Sequence, residues 1–226
     1  MKKIGVYEIF SSIQGEGILQ GIPSVLIRLV GCNLDCSWCD TQSFLKGGRG
    51  TYYKLEQIVD ALDSYCCKNV VITGGEPFIH QELPILTREL HERGYHITIE
   101  TNATLYQEVV CDLISMSPKL SNSVVTDPDT KSNKIDIGVI RKFISNFDYQ
   151  IKFVVNDQED MEEVSSILKE IGDYDPFRVM IMPMAATLKD LQLVQKKVLK
   201  LCIDYNMRYA NRLQLQIWDN QSEVLN

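Results

Sequence analysis

The sequence predicts an α/β fold, an incomplete TIM-type barrel of about six parallel strands, and three observations lead there. Strand-like and helix-like stretches alternate along the 226 residues, as in a parallel sheet covered by helices. Three predicted strands end in motifs able to meet a ligand, at the rim where parallel sheets and barrels bind. The length also falls short of the about 250 residues that a full eight-fold barrel usually takes. One domain over residues 1–226 is expected.

Each element has its own local reason. Residues 4–10 and 24–30 are apolar and β-rich, and read as strands flanking the loop Gln14-Gly15-Glu16-Gly17. Over 54–67, Leu55, Ile58, Val59 and Leu62 recur at helical spacing. A short buried strand over 69–73 ends in Gly74-Gly75, and a helix over 81–93 is stopped by Gly94. A strand over 95–100 is followed by a helix near 105–114, a strand-like run at 122–126 and a helix over 136–147. Residues 149–155 form a strand, and Asp157 caps a helix that reaches about 171. A strand over 177–182 leads to Thr187 and Asp190, the capping box of a helix to about 206. The alternating run 213–218 closes the sheet as a last strand.

Composition removes several function classes. Hydrophobic residues make up 45% and charged residues 23%, ordinary globular usage. A formal charge of −7 gives no basic footprint, so nucleic acid is not an expected partner. No apolar stretch approaches the about 20 residues of a membrane span, so no membrane is expected. Met1-Lys2-Lys3 leads into a strand-like run instead of an apolar leader, and seven cysteines without secretory context indicate a reducing compartment. A cytoplasmic location is expected.

The chemistry concentrates in Gly-Cys-Asn-Leu-Asp-Cys-Ser-Trp-Cys-Asp-Thr, residues 31–41. Cys32, Cys36 and Cys39 supply three thiolates, whereas structural zinc sites and ordinary electron-transfer clusters close with a fourth ligand. A triad that stops at three suggests a [4Fe–4S] cluster with one iron left open. Zinc and unligated thiols remain as alternatives, because Cys66, Cys67, Cys111 or Cys202 would be available to complete a site. None of those four forms a second C-x2-C knuckle.

Three further motifs sit at strand ends: Thr73-Gly74-Gly75-Glu76-Pro77, Glu100-Thr101-Asn102 and Met182-Pro183-Met184. The glycines let backbone approach a ligand closely. Alone, Gly-Gly-Glu-Pro would also read as a plain turn. Arg28, a charge inside an apolar strand, points to function over a structural ion pair. His80, His91 and His96 lack metal-ligand spacing and read as surface or core histidines. The alternation Met180, Met182, Met184 suits a buried strand face as well as a cofactor wall.

The cysteine run closely resembles that of the radical S-adenosylmethionine (SAM) enzymes, and Gly-Gly-Glu-Pro follows it in the order seen there. The resemblance implies that the open iron holds the amino and carboxylate groups of SAM, and that one electron cleaves SAM to a 5′-deoxyadenosyl radical. The opening Glu8-Ile9-Phe10-Ser11-Ser12-Ile13-Gln14-Gly15-Glu16-Gly17 narrows the likeness. It resembles the 7-carboxy-7-deazaguanine synthase family of queuosine and 7-deazapurine biosynthesis. Arg28, Cys39-Asp40-Thr41, Glu100-Thr101-Asn102, Ser117-Pro118-Lys119 and Met182-Pro183-Met184 extend the match over nearly the whole chain.

What the family does is then implied for this chain. It converts 6-carboxy-5,6,7,8-tetrahydropterin to 7-carboxy-7-deazaguanine with loss of ammonia, a radical ring contraction that uses SAM catalytically and is assisted by Mg²⁺. Matched by motif, Ile13, Gln14, Gly15 and Glu16 read the pterin edge, with Thr73 and Glu100 also facing substrate. Arg28 pairs with the substrate carboxylate, to which its planar fork is suited. Thr41 ligates Mg²⁺ together with substrate and water oxygens. Cys32, Cys36 and Cys39 hold the cluster. Trp38, Cys39, Asp40, Gly75, Ser117, Pro118, Lys119, Met182, Pro183, Met184 and Ala185 hold SAM. The resemblance also implies an electron donor such as flavodoxin or ferredoxin, and a homodimer.

The chain departs from the family at two places. Ala103 stands where the family often has Gly, so a turn needing positive φ there would be strained. Gln214 stands where many members have a His near the substrate, in a run read here as the last strand. Two other readings stay open: a radical SAM activase that installs a glycyl radical on a partner protein, and a non-catalytic iron–sulfur or zinc module. The Gln-Gly-Glu-Gly opening and the strand arginine favour a small polar substrate over the first. A module would have no need of the SAM-facing rim.

Overall fold

The computed structural model describes residues 3–39, 50–123 and 135–219. In chain order the elements are β1 (Lys3–Ile13), β2 (Pro23–Leu29), β3 (Thr51–Lys54), α1 (Leu55–Leu62), β4 (Asn69–Gly74), α2 (Leu83–Glu92), β5 (His96–Thr101), β6 (Leu113–Met116), α3 (Ile137–Asn146), β7 (Tyr149–Val155), α4 (Gln158–Ile171), β8 (Val179–Pro183), α5 (Leu188–Asp204), β9 (Arg208–Tyr209) and α6 (Leu213–Trp218). They form one nine-stranded sheet in the order β3-β1-β2-β4-β5-β6-β7-β8-β9. From β2 and β4 onward the neighbours are parallel, while β1 runs antiparallel to β2 and β3. This is the α/β partial barrel expected, with the two-residue β9 added at one edge.

The period of 2 along each strand separates two faces. Ile27, Ile72, Ile99, Ile114, Ile151 and Phe153 point outward into one continuous core shared with the helices. Each such side chain contributes about 1.5–3 kcal/mol by leaving water. The opposite face is mixed. Phe10, Leu26 and Val71 form an apolar floor, and one step further along lie Glu8, Arg28 and Thr73, aligned by the register Glu8↔Arg28↔Thr73. Glu100↔Ser115↔Gln150 continue the row across β5, β6 and β7. Strand β7 is buried throughout, so its two polar interior residues, Gln150 and Lys152, must find partners inside.

Local signals place most helix ends. Asp157 Oδ1 accepts from Asp160 N at the start of α4, and Thr187 with Asp190 forms the capping box of α5. Gly94, at φ 75°, ends the α2 region in the left-handed conformation that glycine adopts freely. No helix among the described residues is long and apolar enough to cross a membrane.

Three expectations need correction. No helix forms over 105–114; an irregular segment leads into β6. Leu105, Tyr106 and Val109 do pack on the core. The backbone is claimed by neighbours instead: Val110 N donates to Thr87 Oγ1, and Asp112 N bonds Ile97 O while Asp112 Oδ2 accepts from Ile97 N. Residues 213–218 form a helix, α6, not a closing strand. The chain leaves the sheet after β9 because Leu213 N bonds Gly15 O. Of the run 122–126, residues 122 and 123 belong to a 3₁₀ turn over Ser121–Ser123 and the rest lies outside the described residues.

Candidate active site

The turn joining β1 to β2 leaves the sheet at the N-terminal end of β2, yet its residues meet the barrel interior. Gln14 N bonds Ile22 O and Gly21 N bonds Gln14 O, closing the turn on itself. Gln14 Nε2 lies 3.4 Å from Glu100 Oε1, and Ile18 N donates to Gln150 Oε1 at 2.8 Å. A Cβ on Gly15 would collide with the Gln214 carboxamide, so this position admits only glycine while Gln214 stays in place. Ile13 is half-buried at the end of β1, opposite Pro23.

Glu16 is carried by this turn into a nest of donors. Its Oε2 is 2.9 Å from Lys152 Nζ, and its Oε1 is 3.1 Å from Arg212 Nε and 2.6 Å from Gln214 Nε2. Burial alone would push this carboxyl up, but Lys152 and Arg212 pull it down to about 2, so it stays ionised. Glu100 closes the group. Its Oε1 lies 3.4 Å from Lys152 Nζ, and its Oε2 accepts from Thr73 Oγ1 at 2.9 Å. Arg28 lies in the same interior row with Nε 2.8 Å from Glu8 Oε1, its guanidinium over the Phe10 ring. Gln214 Oε1 is buried without a hydrogen-bond partner.

The second half of the site is built from the rims of β2, β4, β5 and β8. Gly74, at φ 132°, has no room for a Cβ against the Leu29 backbone. Gly75 N then bonds Leu29 O and Glu76 N bonds Gly31 O, which seats the glycine turn on the start of the cysteine loop. Glu76 is fully buried and works as a latch: Oε1 accepts from Thr101 Oγ1 and Phe78 N, and Oε2 from Asn102 N. Burial raises its carboxyl to about 7 against the pull of these donors. Ala103 takes φ 59°, the positive φ that the sequence marked as strained, and its N is held by Thr101 Oγ1.

Asn33 ties the cysteine loop to β5 through Asn102 Nδ2 and Thr104 Oγ1, at 3.0 and 2.8 Å. Cys36 is buried, Cys32 and Cys39 half-buried, and Leu34 N donates to Cys32 Sγ at 3.4 Å. Trp38 Nε1 donates to Asn122, while Lys119 Nζ lies over the Trp38 ring at 5.2 Å and 2.9 Å from Ser117 Oγ. Thus Ser117-Pro118-Lys119 and the cysteine loop are brought together. Met182 and Met184 pack with Trp38 and Val154, and Pro183 ends β8 beside Val155. A cavity of about 370 Å³ opens there, lined by Trp38, Cys39, Met184, Ala185, Asp190 and Arg212 among others. Asp40 and Thr41 lie outside the described residues.

Residues 26–184, from β2 through β8, match the radical SAM superfamily. A 7-carboxy-7-deazaguanine synthase from Halobacterium salinarum is 35% identical over 239 residues, covering 97% of this chain and 92% of that protein. One from Rhodopirellula baltica is 31% identical and covers 96% and 87%. The chain belongs to the 7-carboxy-7-deazaguanine synthase family of radical SAM enzymes. The crystal structure of QueE from Escherichia coli shares the fold with a TM-score of 0.73 at 26% identity, over 93% of this chain and 94% of that one.

A radical SAM enzyme carries a [4Fe–4S] cluster and SAM, and the donors here suit both. Cys32 is pushed up to about 11, chiefly by burial and further by Glu76, Cys36 and Cys39. A thiol held protonated in this way is stabilised as a thiolate by a cationic iron centre. Among the described residues no three His, Cys, Asp or Glu converge on a single-ion position; the three loop cysteines are soft donors of the kind a cluster takes, one thiolate per iron. The cavity beside Trp38 and Met184 combines apolar walls with polar groups, as a nucleoside requires.

Sequence reading missed Lys152 and Arg212. The signal for Lys152 was present: Gln150 and Lys152 are the polar pair at period 2 in the apolar run 149–155. Arg212 carried none, since its partner lies 196 residues away.

Proposed function

We propose that this radical SAM enzyme converts 6-carboxy-5,6,7,8-tetrahydropterin to 7-carboxy-7-deazaguanine with loss of ammonia, within 7-deazapurine and queuosine biosynthesis. The observation that carries the reading is the polar interior itself. Two carboxylates, Glu16 and Glu100, share it with Arg28, above the apolar floor of Phe10, Leu26 and Val71. A pterin presents N–H donors along one edge, an anionic carboxylate elsewhere and flat apolar faces between, so each wall has a counterpart on the substrate. The names borne by the relatives support the same reading.

In this reading Gln14, Glu16 and Glu100, with Ile13 and Gly15 shaping the turn, read the N–H edge, and Thr73 holds the ring from the side. Arg28 binds the substrate carboxylate, kept in plane by Glu8. Cys32, Cys36 and Cys39 hold the cluster. Trp38, Asp40, Gly75, Ser117, Pro118, Lys119, Met182, Pro183, Met184 and Ala185 hold SAM. Cluster and SAM, when bound, supply one-electron radical chemistry. The protein's part is to orient the pterin against it and exclude water. Thr41 is proposed as a Mg²⁺ ligand, completed by substrate and water oxygens. The working form is a single-domain cytoplasmic homodimer reduced by flavodoxin or ferredoxin. Anaerobic turnover of 6-carboxytetrahydropterin with SAM and a reductant, followed by mass analysis, tests the reaction: appearance of the deazaguanine acid is expected, and SAM cleavage without that product sinks the proposal.

A further inference from the structure

We propose that Lys152 is a positioning residue that locks Glu16 and Glu100 into one acceptor pair for the N–H edge of the substrate. The inference rests on the reading of those two carboxylates as substrate contacts. They come from unrelated parts of the chain, the turn after β1 and the strand β5, and a single ammonium spans them. Lys152 Nζ lies 2.9 Å from Glu16 Oε2 and 3.4 Å from Glu100 Oε1, on a side chain only 3% exposed.

The neighbours Ile151 and Phe153 anchor that stretch of β7 in the main core, so the ammonium sits at the end of a fixed arm. Lys donates and never accepts, which leaves both carboxylates free to accept from a ligand through their remaining lone pairs. The other groups facing them are Arg212 and Gln214 on Glu16, and Gln14 and Thr73 on Glu100. Among the described residues Lys152 is therefore the one cation in ion-pair reach of Glu100, whereas Glu16 has two. Without Lys152 the pair loses its common anchor: Glu100 is left without a cation, and Glu16 keeps one cation, Arg212, and the Gln214 donor against the effect of burial. A carboxyl that takes up a proton donates where it should accept, and no longer complements an N–H edge.

The test uses full-length holoenzyme in three forms: wild type, K152M and K152R. Binding of 6-carboxytetrahydropterin is measured by anaerobic equilibrium dialysis between about pH 6 and 8, beside steady-state kcat and KM. K152M is expected to weaken binding about thirtyfold or more, with the loss growing toward low pH and with KM carrying more of it than kcat. K152R is expected to recover most of the affinity. The wild-type profile removes the substrate's own titration from the comparison. Since K152M leaves Glu100 without a cation and Glu16 with Arg212 alone, Glu16→Gln and Glu100→Gln combined with K152M give a form freed of both charges; its weak binding is expected to vary with pH no more than that of wild type. K152M binding as tightly as wild type with the same pH profile, or a variant lacking both carboxylates that keeps the added pH dependence of K152M, overturns the inference. A wild-type enzyme that does not bind the pterin overturns the reading of the pocket itself.

Discussion

Arg28 Nε and Glu8 Oε1 stand 2.8 Å apart across the β1–β2 pair, at register partners on the interior face. The contact uses the guanidinium's Nε side and fixes its plane, so the orientation of the fork is set before any ligand arrives. Arg28→Lys keeps the charge and loses the fork. It is expected to cost about 2–5 kcal/mol of transition-state binding to a buried carboxylate, seen as lower kcat/KM with SAM cleavage increasingly uncoupled from product. Product and 5′-deoxyadenosine falling in step would show that Arg28 is structural.

The three loop cysteines are expected to act as one unit. Reconstitution should load about four irons and four sulfides per chain, and Cys32→Ala, Cys36→Ala or Cys39→Ala should each prevent reductive SAM cleavage. Cys66→Ala, at an exposed position away from the loop, should leave loading and cleavage intact. Iron analysis with sulfide assay reads both arms; stoichiometric zinc with no iron uptake would refute the cluster.

Ala103→Gly is expected to stabilise the protein. An alanine at φ 59° carries about 1–2 kcal/mol of left-handed strain. Glycine escapes it but costs about 0.4–1 kcal/mol of unfolded-chain entropy. A net gain near 0.5–1 kcal/mol should appear as a higher denaturant midpoint with an unchanged slope. A loss of stability would mean that the strain is relieved by the Thr101 contact.

Glu76 sets a pH dependence whose sign is fixed by its burial. Its carboxyl rises from 4.5 to about 7 in the fold, so the native state keeps a proton that the unfolded chain gives up. Stability should therefore fall as pH rises between 4.5 and about 7, by on the order of 3 kcal/mol in all. Above that window the slope from this group ends. Glu76→Gln should flatten this part of the urea-unfolding profile; the same slope in both proteins would remove the assignment.

Legibility in the sequence followed the range of the forces involved. Caps act over three residues, so Asp157 and the Thr187–Asp190 box could be read directly, and so could the stop at Gly94. The cysteine loop and the glycine turn are also local, and the structure joins them through Glu76 N and Gly31 O. The helix expected near 105–114 did not form because burial of Leu105, Tyr106 and Val109 was satisfied without it, once Thr87 and Asp112 claimed the backbone bonds. Leu213, Leu215 and Ile217 alternate as in a strand, but a hydrogen bond to Gly15 decided the outcome. Arg212 was illegible as a site residue for the same reason: its partner, Glu16, is remote in sequence and was placed by folding, whereas Lys152 left a local trace in the polar period of the apolar run 149–155.

That remoteness has a temporal side. Arg212 follows Glu16 by 196 residues, and at 5–20 residues per second a ribosome needs about 10–40 s to cover the interval. Glu16 emerges with the first strands and meets Lys152 once β7 has been made. Its guanidinium partner and Gln214 arrive only after every strand of the sheet has left the ribosome. The scaffold is thus complete before the substrate site is, and a chain released early, between β9 and Arg212, would own the whole sheet without a finished binding pocket.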